Sequence, residues 1–277
     1  MHSGLQDGSG CAESSRAGVW IMDVPRWAAA AAMLLLGLAA GSVACLLVVR
    51  TPFRRGQQSP QVSGPRWDGP LQPGDLIPLT GWLRLRSRSP ACRAEFGIWF
   101  PAAELITAGL LVALWSRFGP SPALPAFCYL AVISVALAFI DARHQRLPDA
   151  LTLPSYPAAL VLLGAGAAFV PGGGRHLVHG LIGMAAGWLF FAAQAFMYPA
   201  GVGWGDVKLS GVLGLYLGWL GASALLAGLL GGYLLAALAG AWLMLTGRAT
   251  RKSLLPFGPF MLASSLAVII AGGWSFP

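Results

Sequence analysis

The chain has 277 residues, 56% of them hydrophobic and only 10% charged, and this excludes an ordinary soluble domain. Such a composition suits several apolar helices of about 20 residues, each able to cross a bilayer. The net charge of +8 could suggest a nucleic-acid partner, but the bases gather in short loops between apolar runs, so none is expected.

Residues 1–26 are mixed and polar, and read as an extracytoplasmic tail. The apolar run at 27–49 lacks a strongly basic start and a small-residue cleavage site close behind it, so it reads as a retained first span rather than a signal peptide. Residues 50–97 form a loop rich in arginine, proline, glycine and serine; with the first span they make a region 27–97. The remainder, 98–277, is a membrane domain. Its spans fall at about 98–116, 122–140, 151–170 and 177–197. Leu209–Gly247 carries no charge over 39 residues, too long for one crossing, and a break near Gly218–Gly221 divides it. A last span covers about 257–273. The predicted fold is therefore all-α and polytopic, with about eight transmembrane helices embedded in a lipid bilayer.

Loop charge gives the orientation. With the 50–97 loop in the cytoplasm, fourteen Lys and Arg lie on that face and four on the other: Arg16, Arg26, Arg117 and Arg175. The same orientation puts Asp141 and Asp206 on the cytoplasmic face, at the ends of the third and sixth spans. Only four acids occur beyond residue 100: Glu104, Asp141, Asp149 and Asp206. An acid in or beside a span is costly and is a functional candidate for that reason.

Peptide hydrolysis by carboxylates needs two of them together, sharing one proton: one activates a water and the other hydrogen-bonds the scissile carbonyl. Asp141 and Asp206 fit that need. Gly203-Trp204-Gly205-Asp206, at the start of an apolar helix, is how aspartyl proteases working in membranes present one carboxylate. Asp149 is the alternative partner, or else a cap on the fourth span. Blander roles are open as well: Asp206 could pair with Lys208 or a nearby arginine, and Glu104 could accept hydrogen bonds from neighbouring helices. His144 reads as solvated interface, and His176 and His179 as lying near the opposite face. Trp99, Trp115, Tyr198, Trp204, Trp219 and Trp274 read as interface anchors. A transporter or proton-coupled channel using the acids as a relay is the rival function.

Several ordered segments resemble the bacterial prepilin peptidase (type IV leader peptidase) family. Gly41–Cys45 with Arg50-Thr51-Pro52 resembles its first-span ending, with Cys45 where asparagine is usual. Asp75–Pro78 through Arg86 resembles its cytoplasmic loop, and Pro101–Leu105 its second-span entry. Phe139-Ile140-Asp141 with Leu147-Pro148-Asp149, and then Gly203–Leu209, resemble its two catalytic blocks. Leu255–Phe260 resembles the entry to its last span. The resemblance implies an aspartic endopeptidase of the bacterial inner membrane, with Asp141 and Asp206 as its catalytic pair. Its substrates and partners would be prepilins or pseudopilins, cut at the cytoplasmic face. Many members hold two Cys-x-x-Cys pairs in the first loop, a tetrahedral metal spacing. Here the four cysteines are Cys11, Cys45, Cys92 and Cys128, and only Cys92 stands in that loop. The departure tells against zinc there, and against the S-adenosylmethionine-dependent N-methylation that many relatives perform. No cofactor is expected.

Overall fold

The computed structural model describes residues 25–50, 99–198, 202–248, 250 and 255–272. Eight α-helices follow one another: α1 (Arg26–Arg50), α2 (Trp99–Phe118), α3 (Leu124–His144), α4 (Asp149–Ala167), α5 (Gly173–Met197), α6 (Trp204–Leu220), α7 (Ala222–Leu245) and α8 (Gly258–Ala271). No strand occurs among the described residues. All but α6 and α8 are long and apolar enough to cross a membrane. The protein is a multi-pass helical membrane protein, as its hydropathy pattern implies. The long uncharged tract breaks at Gly221, whose φ of 137° only glycine adopts comfortably. Residues 51–97 of the basic loop and 1–24 of the tail lie outside the described residues.

Helix α6 occupies the centre. From Val207 to Trp219 every residue except Lys208 is buried, and α4, α5, α7 and α8 all pack on it. A helix apolar on every face belongs in lipid or in a protein core, and here neighbouring helices supply the surroundings. Its closest neighbour is α5. A Cβ at Gly183 or Gly214 would run into the facing helix's backbone, so small residues set this approach. Helices α1 and α2 repeat the device, with Gly37 and Gly41 lying against the backbone of Ala108 and Glu104.

The aromatic anchors divide. Trp99, Tyr198 and Trp204 are exposed, as interface residues should be. Trp219 departs from that expectation at 4% exposure. It stacks on His176, whose Nδ1 lies 3.0 Å from the Trp219 carbonyl, and it closes the end of the bundle opposite the acids. Trp274 lies outside the described residues.

Candidate active site

Four chain ends converge at one end of the bundle: the C-terminus of α3 and the N-termini of α4, α6 and α8. Helix α3 stops because Gln145 turns left-handed, with φ of 49°, and its N–H bonds back to the Asp141 carbonyl at 2.7 Å. Leu147 precedes a proline and is biased away from helix, so the chain runs extended into α4. Asp141 is left on the last turn of α3, 5% exposed.

Helix α6 starts at an extended Gly203, and Asp206 is its third residue. The Asp206 carboxylate reaches back to the Gly203 backbone amide, one half of a capping box. Gly205 leaves room for the loop that follows α3: a Cβ there would stand 3.0 Å from that of Leu147. Docking that loop on the first turn of α6 brings the carboxylates of Asp141 and Asp206 within electrostatic reach of each other.

Helix α8 completes the arrangement. The Gly258 N–H donates to Asp141 Oδ2 at 3.1 Å, across 117 residues of sequence. A Cβ at this position would stand 2.6 Å from the same oxygen, so the approach requires glycine. Asp141 thus faces the positive end of a helix, which favours a carboxylate there. Beside it, Phe257 packs on Tyr233 with ring centroids 4.9 Å apart, and Phe191 stacks on Tyr233 at 5.6 Å. The Tyr233 hydroxyl donates to Gln194 Oε1 at 2.7 Å, and that hydroxyl lies within electrostatic reach of Asp206. Sequence reasoning missed Tyr233 and Gln194. The one available signal was their polarity within long apolar tracts.

The other acids go elsewhere. Asp149 is the first residue of α4; Pro148 holds the cap position, and no side chain bonds the free amides there. Asp149 therefore does not cap the span. Its exposed carboxylate pairs with Lys208 Nζ at 2.6 Å. This removes the blander alternative in which Lys208 pairs with Asp206: residues two apart on a helix point in different directions. Neither Asp141 nor Asp206 is ion-paired to a cation among the described residues. Glu104 is fully buried and accepts a hydrogen bond from the Ser42 hydroxyl, clamping α2 to α1 as a structural acid would. No group of three or more metal-ligating side chains occurs among the described residues.

Residues 128–273 match the type IV leader peptidase family, and residues 35–118 match the bacterial peptidase A24 N-terminal domain. The chain is 32% identical to the prepilin leader peptidase/N-methyltransferase of Bacillus subtilis (strain 168) over 244 residues, covering 87% of this chain and 93% of that one. It is 34% identical over 221 residues to the protein of the same name from Aeromonas hydrophila, covering 77% of this chain and 72% of that one. The protein so named in Klebsiella pneumoniae is 33% identical over 198 residues, 68% of this chain and 84% of that one. No solved structure matches.

Proposed function

This chain belongs to the type IV leader peptidase family, and on that premise we propose that Asp141 and Asp206 make it an aspartic endopeptidase of prepilins or pseudopilins. Its place is the bacterial inner membrane, with the carboxylates at the cytoplasmic face. The observation that carries the reading is the meeting of two acids from α3 and α6, with no cation paired to either among the described residues. Two carboxylates so placed share one proton. The ionised partner takes a proton from water, which attacks the scissile carbonyl as the protonated partner gives its proton to the carbonyl oxygen; on collapse the first passes the water's proton to the leaving amine and the second regains its own. The amides of Gly203 and Gly258 hold the two carboxylates in place for these transfers. A substrate with a basic leader ahead of an apolar helix presents its junction at this end of the bundle. The rival relay of a transporter gains nothing from the relatives.

Purified protein in detergent, given such a prepilin, should cut once at the junction, read by the intact mass of both products. An uncut prepilin, with a relative cutting it in parallel, would refute the peptidase reading. N-methyl transfer is part of the relatives' names, but for this chain we read peptidase activity alone. A zinc shell needs about four ligands, and the 50–97 loop offers Cys92 and no histidine. Elemental analysis should find no stoichiometric zinc, Cys92→Ser should cleave at the parental rate, and the new amino terminus should be unmethylated. A full-occupancy gain of one methyl group, dependent on this protein, would contradict that part.

A further inference from the structure

A cavity of about 680 Å³ runs down the membrane side of the bundle between α2, α3 and α8. That is the size of a ligand site, not a packing flaw. Along α8 its wall extends from Pro259 to Ile270, which at about 1.5 Å per residue is about 17 Å, half the hydrocarbon thickness. Ile106, Ala263 and Ala267 on its rim are exposed, so it opens sideways to lipid. Its cytoplasmic end is lined by Ala142 and Pro259, the chain neighbours of Asp141 and Gly258.

We propose that this groove receives the first three turns of the substrate's apolar helix, holding the junction that precedes it against Asp141 and Asp206. The inference rests on the peptidase reading above and adds to it where the substrate lies. Two independent features favour a helix. Both walls carry small residues four apart, Ala138 with Ala142 on α3 and Ala263 with Ala267 on α8, the spacing that lets helices approach closely in a bilayer. Ser134, in the groove wall and only 1% exposed, has a hydroxyl with no hydrogen-bond partner among the described residues. An acyl chain offers it no acceptor, whereas a helix backbone carbonyl keeps a free lone pair. Continuity with the carboxylates favours the substrate over a second copy of this chain, which would block the site from the membrane side.

The test uses the full-length protein and two substrates: a prepilin with its apolar helix, and a peptide holding only the leader and junction. Ala263→Phe and Ala267→Phe place rings in the groove from its exposed rim. Each should reduce kcat/KM on the helix-bearing prepilin at least tenfold more than on the peptide, chiefly by raising KM. A benzophenone side chain walked along the first eleven residues of the prepilin helix should form adducts with α3 and α8 at intervals of three to four residues, mapped by mass spectrometry. Equal effects on the two substrates, whether none or a shared loss, would overturn the inference. So would adducts confined to lipid, to a second copy, or to other helices. A parent protein that cuts neither substrate defeats the peptidase reading itself; a parent that cuts both, with groove variants affecting both alike, defeats this inference alone.

Discussion

Asp141 and Asp149 lie eight residues apart on one polar stretch, and the fold treats them in opposite ways. Asp141 is buried, is paired with no cation among the described residues, and takes one hydrogen bond from the Gly258 amide. Asp149 is exposed and has its charge answered by Lys208. On the proposed peptidase reading, Asp141 exchanges a proton and is better kept out of an ion pair, whereas Asp149, left in water, loses nothing by pairing. The difference arises from what docks on each residue. The N-terminus of α8 covers Asp141, while Asp149 opens a helix at the bundle's rim.

The comparison breaks most completely at Asp206, the acid that gives Asp141 its meaning. Asp206→Asn should lower cleavage by about 10²–10⁴-fold, the usual contribution of a positioned acid or base. Adding Asp141→Asn should cost little more, because the two act as one unit. Single-turnover cleavage of a prepilin measures both, and losses that multiply would separate the two acids. Gly258→Ala sharpens the contrast from the other side. Its methyl would enter the space of Asp141 Oδ2 and force the carboxylate aside. Misplacement of about 1 Å can cost about 100-fold, so a loss of about 10–100-fold is expected, with helical content by circular dichroism retained. Parental activity in Gly258→Ala would show that the amide contact is dispensable. The smallest effect belongs to Lys208→Met. An exposed ion pair contributes about 0–1 kcal/mol, so thermal stability should barely move and cleavage should stay within about fivefold of the parent.

Much of this was legible in the sequence, for physical reasons that differ by feature. Helix positions followed from the length of apolar runs, and the break at Gly221 from a tract too long for one crossing. The shared face of Asp141 and Asp206 followed from the placement of arginines. None of these needs knowledge of tertiary contacts. The partners of each acid do. Lys208 reaches Asp149 across 59 residues, and Gly258 reaches Asp141 across 117. Neither distance leaves a local pattern, so the sequence left Lys208 open as a partner of its neighbour Asp206, and left Asp149 open between a catalytic partner and a cap. Trp219 misled for a similar reason. Its place at a span end suits an interface anchor, but the close approach of glycine-lined α5 puts His176 over its ring. The hydrogen bond between Tyr233 and Gln194 joins α7 to α5, and it too becomes visible only in the folded bundle.

The most direct measurement compares Asp141→Asn with Asp149→Asn, each purified, verified as folded, and given the same prepilin under single-turnover conditions. The account predicts that Asp141→Asn loses cleavage to the extent of Asp206→Asn, while Asp149→Asn stays within about fivefold of the parent, the scale of an exposed ion pair. An Asp149→Asn variant that no longer cuts, beside an Asp141→Asn variant that still does, would contradict the pairing of Asp141 with Asp206.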